Sequence, residues 1–238
     1  MIAAVRTESA ATVIHPETAT TLPFAREVPS VSPTLPGLAS RPAVAPGAWR
    51  LAGVPLVLAV VSALVSPPLA VGCLFAAVVT LWFHRDPRRS PPPSGVVAPA
   101  DGRVSVIREE GDRVRVAVFM NVTDVHVNRA PDDGVGGAVE HSPGRHLPAF
   151  TKESERNERV RIDLGDHELT LIAGAVARRI DPYVEGGETL ARGDRIGHIS
   201  FGSRADTLLS AAYSLDDVRV TAGQRVRAGE TVIAARDG

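Results

Sequence analysis

The 238 residues carry 26 basic and 27 acidic side chains, a formal net charge of −1, and this near-balance excludes the strongly basic surface of a nucleic-acid binder. Lys152 is the sole lysine, so a pyridoxal phosphate, biotin or lipoyl attachment would have to fall there, in the polar run 151–158. One cysteine, Cys73 within an apolar segment, leaves no disulfide framework and no zinc cluster.

Residues 1–47 are rich in Ala, Thr, Pro and Ser without sustained periodicity, and read as a disordered N-terminal tail. They lack the basic start and apolar core of a signal peptide. Leu51 to Phe83 contains no charged residue, and Pro67-Pro68 divides it into two stretches, each short for a full membrane crossing of roughly 20 residues. Three readings are open: one kinked helix, a shallow re-entrant hairpin, or a hairpin buried in a soluble core. The length of the uncharged run favours membrane attachment over residues 48–89. Arg50 before the run and His84-Arg85-Asp86-Pro87-Arg88-Arg89 after it place both ends on the cytoplasmic side.

Ser90 to Gly95 is a Pro-rich linker, and from there to residue 238 the pattern has a period of two. Val96–Val104 reads as strand, tight Asp101-Gly102 turn and strand; Val114–Val122, Val160–Leu164 and Leu169–Ala177 read as further strands. Pro131–Gly137 and Gly186-Gly187 read as loops, and His141–Glu158 as a long polar loop or short helix. Gly193-Asp194-Arg195-Ile196-Gly197 and Gly223-Gln224-Arg225-Val226 share the form G-x-R-apolar, a weak internal repeat. The expected fold is mostly β (α+β): a compact sandwich or hybrid-barrel-like catalytic domain over 90–238, preceded by the apolar helical segment.

Gly202-Ser203 lies late in this β region. A glycine leaves its carbonyl unhindered, and a serine hydroxyl becomes a nucleophile once a base takes its proton. Asp101 and His126 are the acid and base in the most distinctive contexts: histidine is the usual base at neutral pH, and a carboxylate fixes its tautomer. Each also has a plainer reading: Asp101-Gly102 as a hairpin turn, His126 as a hydrogen-bonded strand residue, Gly202-Ser203 as a turn.

Ala98-Pro99-Ala100-Asp101-Gly102, Asp124-Val125-His126-Val127-Asn128-Arg129-Ala130-Pro131, Asn157-Glu158-Arg159, Ala177-Arg178-Arg179-Ile180 and Phe201-Gly202-Ser203-Arg204-Ala205-Asp206 occur in this order. With Phe83 and Arg85-Asp86-Pro87 after an apolar run, the chain from about Phe83 onward resembles phosphatidylserine decarboxylase of the short bacterial and archaeal type. The resemblance implies a proenzyme cut between Gly202 and Ser203 into a β chain (1–202) and an α chain (203–238). Ser203 would attack the Gly202 carbonyl and end as a covalent pyruvoyl group, with no pyridoxal phosphate and no metal. That ketone would form a Schiff base with phosphatidylserine in the membrane and yield phosphatidylethanolamine and carbon dioxide. Asp101 and His126 would be catalytic, and Arg178, Arg179 and Arg204 are candidates for the substrate phosphate.

Longer bacterial members carry two histidines in the stretch matching Asp124–Pro131, and the one usually assigned to the triad aligns with Arg129. His126 is then the remaining base, serving self-cleavage and decarboxylation, with His141, His146 and His198 as fallbacks. A homo-oligomer is compatible with the resemblance. The rival readings are a membrane-anchored, non-catalytic adaptor with a lipoyl-like hybrid barrel, and a serine hydrolase, which the missing G-x-S-x-G elbow argues against.

Overall fold

The computed structural model describes residues 43–145, 147, 156–174, 180–200 and 202–236. Residues 1–42 of the expected tail lie outside the described residues, as do His146, Lys152, Arg178, Arg179 and Phe201. The last five residues of that tail are structured: Val44 bridges Arg85, with Ala45 N–H on the His84 carbonyl and Asp86 N–H on the Ala43 carbonyl, both at 2.7 Å.

This clip joins the outer ends of two helices, α1 (Ala48–Ala63) and α2 (Pro67–Phe83). Pro67 occupies the first turn of α2, where its missing N–H costs nothing and its fixed φ suits the helix. The Pro-Pro pair therefore starts a second helix rather than kinking one. The two helices run antiparallel, and their tip at Leu64-Val65 is about nine-tenths exposed. At 1.5 Å per residue they are roughly 24 and 26 Å long. Among the described residues no helix is long and apolar enough to cross a membrane. Nor is this a buried hairpin, because Val57, Val60, Val71 and Phe75 are all more than 60% exposed.

The remainder is mostly β. A seven-stranded antiparallel sheet runs, in spatial order, β13 (Arg225–Val226), β2 (Gly102–Glu110), β3 (Arg113–Phe119), β12 (Arg204–Leu208), β8 (His167–Ile172), β7 (Arg159–Leu164) and β6 (Val139–Ser142). A three-stranded sheet orders β4 (Val127–Arg129), β11 (Arg195–Ile199) and β9 (Ile180–Pro182). Two small pairs complete the set: β1 (Val96–Val97) with β14 (Val232–Ala234), and β5 (Gly134–Val135) with β10 (Thr189–Leu190). Alternation sets the inner face: Val160, Ile162 and Leu164 of β7, and Leu169 and Leu171 of β8, point into one core with Val116, Val118 and Ala205.

Three sequence readings change. Asp101-Gly102 is not a hairpin turn, because β1 pairs with β14 while β2 pairs with β3 and β13. Gly102 is demanded by crowding instead: a Cβ there would stand 2.1 Å from the Phe119 carbonyl oxygen, at φ +148. The Pro131–Gly137 loop contains β5, and the polar stretch from His141 begins inside β6. The G-x-R repeat is real as local structure. Gly193 and Gly223 sit at φ +82 and +83, and the next side chain, Asp194 or Gln224, accepts from the N–H three residues back, at 2.9 and 3.0 Å. The two turns feed different sheets, through β11 and β13.

Candidate active site

Ser203 stands one residue before β12 and inherits its alternation. Ser203, Ala205 and Leu209 are fully buried toward the core, whereas Arg204 and Asp206 face the other side of the sheet. The Ser203 carbonyl accepts the Met120 N–H at 2.8 Å, continuing the β3–β12 ladder by one rung. Its hydroxyl lies 4.0 Å from the Met120 sulfur, which also receives the Asn128 amide nitrogen at 3.8 Å. The Asn128 Oδ1 is buried without a hydrogen-bond partner among the described residues. Gly202 has φ +61, and a Cβ there would meet nothing within 4 Å. The need for glycine is thus conformational, not a matter of room.

The turn from β3 to β4 positions the opposite wall. Asp124 accepts the Asn121 N–H at 2.8 Å and folds the chain back, so that Met120 and Asn128 converge on Ser203. His126, fully buried, follows that turn, and its carbonyl accepts the Ile199 N–H at 3.2 Å. Its ring lies against Phe83 at 4.4 Å between centroids and 6.4 Å from His198. Burial pushes its pKa down to about 4, against the smaller opposing pull of Asp124. His198 is lowered to about 3, again by burial first and then by His84 and His126. Both imidazoles are therefore neutral at pH 7, and burial weakens each as a base.

The expected direct Asp101–imidazole contact is not formed. Both Asp101 oxygens accept from Arg89 Nη2 at 2.8 Å, and Oδ1 also takes the Ala228 N–H at 2.8 Å. Arg89 in turn reaches Glu230 at 3.3 Å. Arg129, at the position of the second family histidine, is equally tied down. It pairs with buried Asp86, which Arg195 also engages, and donates to the Gly193 carbonyl at 2.8 Å. A Cβ on Gly229 would stand 3.0 Å from Arg129 Cδ and 3.7 Å from Arg89 Cβ, so the two ion-pair clusters adjoin. Asp101 is held by the Arg89 guanidinium, and Arg129 by Asp86.

Arg204 also departs from its expected role. It pairs with Asp206 at 2.7 and 2.9 Å on the outer face, across the sheet from the Ser203 hydroxyl. Asp206 is raised by burial against the pull of Arg204. His141 is on the surface with Glu158 at 2.8 Å, away from this wall. Sequence reasoning did not single out Met120 and Asn128. Their signal was modest: a methionine closing a valine-rich strand, and a polar residue two beyond His126.

The root of the hairpin touches the site directly. Phe83 covers His126, Arg85 donates to the Thr123 carbonyl at 2.6 Å, and Asp86 holds Arg129. Beside it, a pocket of about 850 Å³ is lined by residues that include Arg50, His84, Tyr183, His198 and Ser200. Among the described residues no group of three or more His, Cys, Asp or Glu side chains is placed to hold a metal.

Comparison with known proteins supplies the chemical context. A family model described as phosphatidylserine decarboxylase matches residues 76–234. A putative archaetidylserine decarboxylase proenzyme of Halobacterium salinarum is 64% identical over 173 residues, covering 72% of this chain and 88% of its own. A phosphatidylserine decarboxylase proenzyme of Streptomyces avermitilis is 50% identical over 170 residues, covering 69% and 78%. A putative archaetidylserine decarboxylase proenzyme of Methanococcoides burtonii is 42% identical over 169 residues, covering 68% and 78%.

Proposed function

The chain belongs to the phosphatidylserine decarboxylase family, and on that premise we propose that it is a self-processing decarboxylase converting phosphatidylserine to phosphatidylethanolamine and carbon dioxide. The observation that carries the self-processing is Ser203: a buried hydroxyl directly after a glycine at φ +61, backed by the Met120 sulfur. Relatives named for phosphatidylserine and for archaetidylserine both match the chain. The serine head group is common to the two lipids, so the reaction is the same for either backbone.

In the first step Ser203 Oγ loses its proton and attacks the Gly202 carbonyl carbon. The Gly202–Ser203 C–N bond breaks, and an ester joins the two residues through Oγ. Loss of the residue-203 Cα proton then breaks Cβ–Oγ, freeing Gly202 as a carboxylate at a new C-terminus. The dehydroalanine left behind takes up water and releases ammonia, and residue 203 becomes an α-keto acyl group. Alanine offers no leaving oxygen, and threonine would give a different ketone. Bound at residue 203, the pyruvoyl group supplies an electron sink for the pair released when carbon dioxide departs.

The residues present fit such a group. Position 203 is fully buried in the uncut chain, and its carbonyl is already pinned by the Met120 amide. His126 is the proton acceptor in this reading: it is neutral at working pH and stands two residues before Asn128, just ahead of β4. Asp101 acts through Arg89, holding the start of β2 in place rather than polarising an imidazole. The apolar hairpin lies on or shallowly in the cytoplasmic face of the cell membrane, with the catalytic domain on that side, so a diacyl substrate need not be fully extracted. The α and β chains stay joined through the β3–β12 and β8–β12 ladders.

The test is a denaturing gel with intact mass, paired with carbon dioxide release from phosphatidylserine. The wild-type protein should run as two chains, the smaller one blocked at its amino end and sensitive to borohydride. Ser203→Ala should stay a single inactive chain. An active protein with an unbroken chain would end the proposal and revive the non-catalytic adaptor or hydrolase readings.

A further inference from the structure

The 850 Å³ pocket connects two environments. Its lining runs from Arg50 and Leu51, exposed at the start of α1, to His198, which is 4% exposed on β11. Ser200 also lines it, three residues before Ser203. The apolar surface of the hairpin begins at the same end, since Leu51 is already in the uncharged run.

Electrostatics at the outer end is uncompensated. Arg50 is the third residue of a 16-residue helix, where the helix dipole is positive. The first turn holds no acidic residue, the N-cap is Gly47, and Arg50 has no ion-pair partner among the described residues. A cation at a helix N-terminus is unfavourable unless an anion sits with it. At the buried end the His198 Nε2 lacks a hydrogen-bond partner among the described residues, so a polar group is missing there as well. Among the described residues the one carboxylate in the lining is Asp181, so the described lining carries a charge of each sign. An anionic phosphodiester close to an ammonium matches that lining.

The geometry points to Arg50 as the residue that binds the phosphodiester of the serine phospholipid, with His198 Nε2 meeting the polar head group deeper in the pocket; the assignment rests on the decarboxylase reading above. In such a lipid three bonds separate phosphorus from the amine-bearing carbon, and the acyl chains begin on the far side of the phosphate. Arg50 at the hairpin root lies between the apolar surface and the residues leading to Ser203. A guanidinium there offers two parallel donors to two phosphate oxygens.

Arg50→Gln and Arg50→Lys, made in the full chain, test this. Both should self-cleave as the wild type does and associate equally with phosphatidylcholine vesicles. In detergent mixed micelles Arg50→Gln should raise the interfacial KM for phosphatidylserine by 10-fold or more, with kcat within 2-fold, and Arg50→Lys should fall between. Calorimetric binding of glycerophosphoserine to the uncut Ser203→Ala chain supplies a readout independent of decarboxylation. Adding Arg50→Gln should weaken it 10-fold or more, while binding of O-methylserine, which lacks phosphate, should not change. Equal affinity with and without Arg50, no binding to the uncut chain, or equal binding of inorganic phosphate would each overturn the assignment. Failure of the decarboxylase reading looks different: the wild type would release no carbon dioxide from any serine phospholipid.

Discussion

The helical hairpin and the seven-stranded sheet are built from the same side chains, valine, leucine and alanine, and use them in opposite ways. In β7 and β8 alternation sends Val160, Ile162, Leu169 and Leu171 inward and leaves Arg161 and Glu168 outside. In the hairpin there is no polar face to turn outward, and of the exposed large apolar residues among those described only Val122, Val135 and Leu215 lie outside 49–82. A soluble surface seldom tolerates so large an apolar patch. The difference teaches that the sheet is folded against itself while the hairpin requires an apolar environment supplied from elsewhere. The two meet at Phe83, Arg85 and Asp86, which touch His126, Thr123 and Arg129. Whatever seats the hairpin also holds the candidate base.

The sharpest contrast to break is that between neighbouring residues on the two faces of β12. Ser203→Ala should abolish chain cleavage and activity entirely, read as one band at 25.1 kDa. Arg204→Ala, on the outer face, should leave cleavage intact. On the hairpin side, Val57→Asp combined with Val78→Asp should cut sedimentation with vesicles at least 10-fold, because each buries a charge at the apolar boundary. Self-cleavage should survive, since neither residue touches the sheet core.

The Asp101–Arg89 pair sharpens the comparison from the sheet side. Asp101→Ala leaves Arg89 buried without its main partner and should cost about 3–5 kcal/mol in urea unfolding. The double variant Asp101→Asn with Arg89→Leu should recover much of that loss. An equal defect in single and double variants would point to a direct role for the Asp101 carboxylate. Smaller is the acid response of the buried histidines. His126 takes up a proton near pH 4 when folded and near 6.5 when unfolded, so the unfolded chain binds more protons between those values. Stability from this residue is full above pH 6.5 and falls by up to about 1.4 kcal/mol per pH unit down to pH 4. His126→Gln should flatten the slope of Tm against pH over that window. The rate of self-cleavage should likewise show its inflection near pH 4, not near 6.5. Least of all, Gly202→Ala should cost about 1–2 kcal/mol through its positive φ alone, with no steric clash.

Much of this was legible in the chain. Alternation placed β7, and valine-rich and near-continuous apolar runs placed β3 and β8 within a few residues, because such runs report directly on strands packed against a core. Ordered motifs around Asp101, His126 and Ser203 carry the family resemblance in the chain itself. The contacts of Asp101 were not legible, since its partner Arg89 looked like one arginine of a basic flank. Arg204 is a phosphate candidate by its guanidinium chemistry, but its place next to Ser203 on a strand puts it on the opposite face.

The sequence by itself determined the Gly202-Ser203 dipeptide on which the self-processing proposal rests, the mostly β part and the uncharged run. These are local properties: a leaving oxygen on Ser203, a two-residue period, a stretch without charge. Tertiary structure alone decided that the apolar run closes into a clipped hairpin, that Asp101 belongs to Arg89, and that Arg50 and His198 line one pocket. Each of these joins residues from separate elements, and which guanidinium reaches which carboxylate depends on how strands register across the sheets, information that no single stretch of chain carries.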